Sequence, residues 1–271
     1  MKMSQAKERP EIIDGREEIK GINAVSDSYT NKLDRLSIRS RPANSPLMKH
    51  NWGKLLFMHW PISSELLRPL IPKELTIDNF GGSAWIGITP FTLWGVRLSF
   101  APLIHWLSAF HELNVRTYVH RDGVPGVWFL SLDANSIINV FGARTFFHLP
   151  YVVARIELEQ KEKTITYDLR RRDKVSPADF IARWIIGDAL PESMPDSLEF
   201  FLTERYCLYS FDGEHLYRGR IHHKPWPLRQ AELLYYRSTM IESHGLPKPQ
   251  GKPLIHYAEA LEVDVWPLEK V

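Results

Sequence analysis

Phe110-His-Glu-Leu-Asn-Val-Arg-Thr-Tyr-Val119 is followed by a turn, by Gly126-Val-Trp-Phe-Leu-Ser-Leu-Asp-Ala134, and then by Gly142-Ala-Arg-Thr-Phe-Phe-His-Leu-Pro-Tyr151. Alternate residues of a strand share a face. Leu113, Val115, Thr117 and Val119 therefore lie together, and Glu112, Asn114, Arg116, Tyr118 and His120 lie opposite them. Asp122-Gly123, with Pro125-Gly126, is a hairpin turn signal. A two- or four-residue loop there puts Phe129, Ser131, Asp133 and Asn135 on the face of Glu112 and Arg116, whereas an odd loop reverses the second strand. In the first case one face gathers two carboxylates, a guanidinium, two amides and a phenol. Such groups are costly to bury unless they pair with one another or meet a ligand.

Two readings of this face are open. It can be the wet side of an antiparallel sheet with cross-strand ion pairs. It can also be the lining of a cavity. The neighbouring segments are apolar on both sides, as expected when a sheet closes into a barrel and sequesters its inner face.

Outward from this block, Trp52–Trp60 reads as a strand, and Ser63 or Ser64 caps a short helix to about Leu70, stopped by Pro72. Leu75–Asn79 and Ser83–Leu93 read as a strand pair around Gly81-Gly82. A short helix is expected over Ser136–Phe146, and a hairpin over Tyr151–Gln160 and Thr164–Arg172. Ser176-Pro177 predicts a helix to about Gly187, and Asp196 or Ser197 caps another through Glu204. Tyr206–Phe211 and His215–His222 pair around Asp212-Gly213, a short helix follows Pro227, and Leu254–Trp266 is a last strand. Hairpins with helices between them describe an α+β protein built on an antiparallel sheet or barrel. Residues 1–48 are polar, without apolar periodicity, and read as a disordered or loosely docked tail before a single domain of residues 49–271.

Composition narrows the function. The 34 basic and 32 acidic residues are well mixed, which argues against a nucleic-acid binder with a basic stripe. The single cysteine, Cys207, fits a reducing compartment and lies in an apolar run. No apolar signal segment opens the chain, and a cytoplasmic location is expected. The apolar stretch from Ala84 to Phe110 is broken by Pro90 and Pro102 and is not expected to cross a membrane. Gly81-Gly-Ser83-Ala-Trp85 lacks the second glycine of a nucleophile elbow, and no phosphate-cradling or dinucleotide glycine motif is present. His222-His223 on a strand point to opposite faces and cannot share one metal ion without distortion. Neither a metal nor a cofactor is expected.

Trp52-Gly-Lys-Leu-Leu-Phe-Met-His-Trp60, Leu66-Leu-Arg-Pro-Leu-Ile-Pro72, Asp78-Asn-Phe-Gly-Gly82, Trp85-Ile-Gly-Ile-Thr-Pro-Phe91, Glu112-Leu-Asn-Val-Arg-Thr-Tyr-Val119, Ser131-Leu-Asp-Ala134, Ala143-Arg144, Leu149-Pro-Tyr151, Phe201-Leu-Thr-Glu-Arg-Tyr206 and His223-Lys-Pro-Trp-Pro-Leu228 occur in this order. Together they resemble the YqjF-like family of uncharacterised conserved proteins over residues 50–266. The resemblance implies an acetoacetate-decarboxylase-like fold, a β-barrel or cone with flanking short helices around a central cavity. In acetoacetate decarboxylases a Gly-Phe-Pro-Lys segment delivers a Schiff-base lysine. The similar segment here is His148-Leu-Pro-Tyr151, with Tyr151 at the lysine position, and a phenol cannot form an imine.

The expected ligand is a small carbonyl- or carboxylate-bearing molecule, with homo-oligomer formation left open. Glu112, Arg116, Asp133 and Tyr151 are the candidate chemical groups. Arg116 or Arg144 would hold an anion, and Glu112 or Asp133, with Tyr151 or His148, would move protons. Asn114, Tyr118 and Ser131 are further candidate ligand contacts, and Trp85, Phe91, Trp94 and Trp128 candidate walls. A binding module without catalysis, an enzyme of lyase, isomerase or hydrolase type, and a fully paired structural network are all compatible with these residues.

Overall fold

Most of the described chain is strand; some strands alternate buried with more exposed residues, as over Thr164–Arg171, and others are buried on both faces, as over Phe110–Arg121. The computed structural model describes residues 33–100 and 109–271; residues 1–32 of the expected tail and 101–108 of the apolar stretch lie outside these. The elements are β1 (Met48–Ile62), α1 (Ser64–Leu67), β2 (Thr76–Ile77), β3 (Ala84–Leu98), β4 (Phe110–Arg121), β5 (Val124–Ala134), α2 (Ile137–Phe147), β6 (Tyr151–Lys161), β7 (Thr164–Arg171), β8 (Asp179–Ala189), α3 (Leu198–Thr203), β9 (Cys207–Phe211), β10 (Leu216–His223), β11 (Leu228–Ser238) and β12 (Leu254–Lys270). The two expected serine caps form: Ser63 accepts from the Glu65 amide and Ser197 from that of Phe200.

The strands form one sheet that closes on itself. One circuit runs β5-β6-β7-β8-β11-β12-β1-β3-β4 and returns to β5. A second leaves β5 through β9 and β10 and rejoins at β12. β5 and β12 thus each have three partners, so the expected barrel is a branched ring. The pairings of β5 with β6 and with β9 are parallel, not antiparallel.

Three local expectations give way to tertiary pairing. The segment after Pro177 is strand β8, because Phe180, Ala182, Trp184 and Ile186 alternate inward and pair between β7 and β11. A Ser-Pro start signal stabilises one turn locally, whereas burying each of these large side chains contributes about 1.5–3 kcal/mol. The segment after Pro227 is strand β11, which pairs with β8 from Arg229 to Ser238 and with β12 at Leu228 and Arg229. β2 pairs with β4 and not with β3, to which Gly81 and Gly82, both at positive φ, leave a single bridge between Phe80 and Ser83.

Residues 33–47, part of the expected tail, pack on the sheet. Ile38 is buried, Arg35 makes two 2.6 Å hydrogen bonds to Asp78, and Arg41 pairs with Asp264 at 2.7 Å.

The β4–β5 hairpin decides which side chains share a face. Its loop is two residues, Asp122 and Gly123, both at positive φ as a type I′ turn requires. Odd-sum pairing holds from Arg121 opposite Val124 to Arg116 opposite Phe129, and then Val115 faces Ser131. Leu130 is an extra residue, a β-bulge that reverses the parity of β5. Ser131 and Asp133 therefore share the face of Val115 and Leu113, which corrects the expected grouping with Glu112. There Asp133 accepts a bidentate pair from Arg171, Nε to Oδ1 at 2.7 Å and Nη2 to Oδ2 at 2.9 Å, while Ser131 donates to Oδ2 at 3.1 Å. Both charged side chains are almost wholly buried, at 2% and 0% exposure.

Removing one partner of such a pair leaves an uncompensated buried charge. Arg171→Met is expected to lower stability by about 3–5 kcal/mol, and Asp133→Leu/Arg171→Met to recover much of that loss. Denaturant unfolding of the three proteins checks both values. An Arg171→Met protein as stable as the parent would show that the pair is not what holds this face.

Candidate functional site

β4 is a wall with two sides. Leu113, Val115 and Val119 enter the main core, whereas Glu112, Asn114 and Arg116 line a cavity of about 570 Å³ on the opposite face. β5 contributes Val127, Phe129 and Leu132, and the step from 129 to 132 is the bulge seen from the cavity side. β1 does the same: His50 and Trp52 are followed by Leu55, across a register shift that contains Lys54 at positive φ. The walls are aromatic, with Trp52 near Phe91 at 5.6 Å and stacked on Trp226 at 6.3 Å. Helix α2 turns Ile138, Gly142 and Phe146, one four-residue stripe, toward the cavity.

The floor is polar. Glu112 is 2% exposed, and its Oε2 accepts a 2.8 Å hydrogen bond from the Tyr151 hydroxyl. Burial raises the Glu112 carboxyl to about 8; the Tyr151 hydrogen bond opposes this and the charge of Asp133 adds to it. The acid is largely neutral at pH 7. Burial and then the neighbouring Glu112 hold the Tyr151 phenol well above its ordinary value. The pair therefore keeps one exchangeable proton close to neutral pH, the property a general acid or base needs.

Arg116 is buried, yet its guanidinium meets no carboxylate among the described residues. Nη2 donates to the Leu202 carbonyl, at 3.4 Å, and among the described residues Nε has no hydrogen-bond partner. Its Cζ lies 5.1 Å from the Phe57 ring centroid. Asn114 Oδ1 and Thr89 Oγ1, on residues of the same lining, also have no partner. Arg205 lines the cavity too. It donates to Asp78 at 2.7 Å, but Asp78 already carries Arg35, and Arg205 Nη2 has no partner. Two guanidiniums thus border the cavity: among the described residues Arg205 shares its one carboxylate, Asp78, with Arg35, and Arg116 has none.

The other anticipated residues fall into separate groups. Tyr118 is wholly buried beneath the floor, donating to the Leu202 carbonyl at 2.7 Å and accepting from His59 Nε2 at 2.7 Å. Burial, reinforced by Arg116, holds His59 well below its ordinary range, so the ring is neutral. Ser131 and Asp133 belong to the Arg171 network on the far face. Arg144 is exposed and donates from Nε to the Tyr151 carbonyl at 2.6 Å, which fixes the backbone that carries the phenol. His148, at positive φ, ends α2 and stacks on Tyr217 at 5.0 Å. Phe91 lines the cavity. Trp85 and Trp128 instead donate to the Phe80 and Leu70 carbonyls, and Trp94 is 37% exposed over Gly53. Thr203, Arg205, His223 and Trp226 are cavity residues that strand alternation does not single out. They lie in Phe201–Tyr206 and His223–Leu228, two of the motifs on which the family resemblance rests. Among the described residues no group of three or more His, Cys, Asp or Glu side chains could hold a metal ion.

The raised carboxyl of Glu112 has a consequence for stability. Between the ordinary carboxylate value of 4.5 and about 8 the folded protein holds a proton that the unfolded chain has released. Stability then falls as pH rises through that window. The thermal midpoint is expected to drop between pH 5 and pH 8 by less in Glu112→Gln, which cannot ionise, than in the parent. Parallel melting curves across pH would show that Glu112 does not carry this proton.

The fold and the sequence have relatives. The computed structure superposes on the enduracididine biosynthesis enzyme MppR complexed with pyruvate, with a TM-score of 0.59, 10% identity, and coverage of 84% of this chain and 91% of that one. An acetoacetate decarboxylase-like enzyme from Sphingomonas wittichii RW1 matches at a TM-score of 0.57 and 8% identity, over 84% of this chain and 94% of that one. Acetoacetate decarboxylase from Legionella pneumophila matches at 0.55 and 12% identity, over 86% and 91%. These likenesses establish an acetoacetate-decarboxylase-like fold. The uncharacterized protein YqjF of Bacillus subtilis (strain 168) is 42% identical over 224 residues, 83% of this chain and 92% of that protein. Residues 49–262 match the DUF2071 family of uncharacterized conserved proteins, and the chain belongs to that family.

Proposed function

We propose that the protein binds a small organic acid, carrying a carboxylate or carbonyl group, in the cavity on the Glu112 face of β4. The observation that carries this reading is Arg116, a buried guanidinium without a carboxylate partner among the described residues, in a cavity of about 570 Å³. A buried charge is retained at such a place when something completes its hydrogen bonds. A carboxylate does so with bidentate geometry. The neutral Glu112 and the Tyr151 hydroxyl stand on the same floor and suit a carbonyl oxygen or the second oxygen of the acid. The aromatic walls suit a short apolar body. MppR, which has the same fold, forms a complex with pyruvate, a molecule of this class.

No lysine among the described residues lines the cavity. This supports a site that works without an imine, with Tyr151 in the segment that resembles the lysine-bearing one. A second reading, an enzyme that moves a proton on the bound acid, is favoured by Glu112 at about 8 in contact with Tyr151. The free, buried Cys207 supports a reducing, cytoplasmic setting.

Calorimetric titration with a panel of 2-oxo and 2-hydroxy acids, pyruvate included, tests the reading. Arg116→Gln is expected to weaken the best of them about 10- to 100-fold, the worth of a charge-assisted bidentate contact. Equal affinity in both proteins overturns the assignment. Borohydride added with a bound 2-oxo acid is expected to leave the protein mass unchanged, and a trapped adduct would overturn the lysine-free part.

A further inference from the structure

A second concave site lies beside the cavity. It is a cleft of about 720 Å³ between the β1, β3, β10 and β12 strands, and its electrostatics differ from those of the cavity. Its construction begins with a glycine. Across β1 and β3, Lys49 faces Arg97 and Asn51 faces Trp94, so Gly95 and Val96 together oppose His50. Gly95 has φ +64, and a Cβ there would lie 2.7 Å from Asn51 Nδ2, which donates to the Trp94 carbonyl at 3.2 Å. This bulge sets Lys49 and Arg97 directly opposite one another. Like charges at opposed positions of an antiparallel pair destabilise it.

The cleft does not neutralise them. Asp264 is the register partner of Lys49 on β12, yet its carboxylate is taken by Arg41 at 2.7 Å. Lys49, Arg97 and Lys224 meet no carboxylate within 4.0 Å among the described residues, and Arg97 bonds only to the Gly95 carbonyl, at 3.3 Å. Glu262 is the remaining acid of the lining. Four cations against two carboxylates leave the cleft at +2. His50 stands where cleft and cavity meet, with both ring nitrogens buried and without a partner. His223 borders both spaces as well.

We propose that this cleft is a binding site for a phosphoryl group of a small ligand, held by Lys49, Arg97 and Lys224. A single carboxylate is satisfied by one guanidinium, and three unpaired cations exceed its needs. A phosphate monoester carries roughly −1.5 to −2 charges and several acceptor oxygens, which matches the excess. Lysines bind phosphate as point charges and arginine binds it through its fork. The cations are confined to one cleft and do not form a stripe, which favours a small phosphorylated molecule over a nucleic-acid strand. Because His50 and His223 border both spaces, the natural ligand is read as a phosphorylated organic acid. That last step rests on the organic-acid reading of the cavity, whereas the phosphate site does not.

Titration of the full chain with inorganic pyrophosphate at low and high salt tests the site, with the His50 ring protons followed by NMR. Saturable binding is expected, weaker at high salt and with shifts at His50. Lys49→Gln/Arg97→Gln is expected to weaken it at least about tenfold, and the exposed Lys224→Gln alone to weaken it severalfold. Arg116→Gln, on the cavity floor, is expected to leave pyrophosphate affinity unchanged while weakening pyruvate, so failure of either site is read separately. Absence of saturable binding, equal affinity in the Lys49→Gln/Arg97→Gln and Lys224→Gln proteins, or equal binding of malonate overturns the phosphate assignment. Preference for a single-stranded oligonucleotide over pyrophosphate overturns it as well.

Discussion

Consecutive side chains of a strand leave it on opposite sides, and β4 has an interior on each. Its odd-numbered residues Leu113, Val115 and Val119 fill the dry core, so Glu112, Asn114 and Arg116 are committed to the other side. The branched ring closes over that side through β9 and β10, and the committed polar residues become the floor of a cavity. The rest of the site is arranged around this division. The bulges in β1 and β5 shift which residues share the wall, bringing Leu55 and Leu132 to the cavity and sending Ser131 and Asp133 to the core.

The two faces treat charge in opposite ways. On the core side Asp133 and Arg171 are buried together with full bidentate geometry and hydroxyl partners, as a dry interior demands. On the cavity side burial holds the Glu112 carboxyl up at about 8, and Arg116 meets no carboxylate among the described residues. A structural network completes itself, and the Arg171 network does. Among the described residues the cavity lining keeps unpaired polar atoms, the donors Arg116 Nε and Arg205 Nη2 and the acceptor Asn114 Oδ1. In the adjoining cleft Lys49 and Arg97 are opposed across a bulge, and Asp264, the cross-strand partner of Lys49, is paired with Arg41.

Much of this was legible in the chain. Alternation along Glu112–Tyr118 placed Glu112, Asn114 and Arg116 on one face, and Asp122-Gly123 marked the hairpin turn without fixing its loop length. The family motifs pointed to the fold and to Tyr151. The bulge at Leu130 was not legible, because Phe129-Leu-Ser-Leu-Asp133 alternates equally well in either register. The strand after Pro177 was hidden by a helix-start signal whose local stabilisation is small beside burial of Phe180 and Trp184. The tryptophans of the wall were misjudged for a related reason. Trp128 leaves β5 on the face opposite Phe129 with its indole on the Leu70 carbonyl, and Trp85 lies outside the cavity lining with its indole on the Phe80 carbonyl.

By itself the sequence determined the strand-rich α+β class and the polar face of β4, because period-two patterning and turn chemistry act over a few residues, and its ordered motifs carried the family resemblance. Tertiary structure alone decided that Asp133 belongs to Arg171 and not to Glu112, and that Arg205 and His223 join the floor from far along the chain. It also decided that Lys49 and Arg97 face each other across a cleft. These depend on sheet closure and on single-residue bulges, where one extra backbone unit reverses every side chain that follows it.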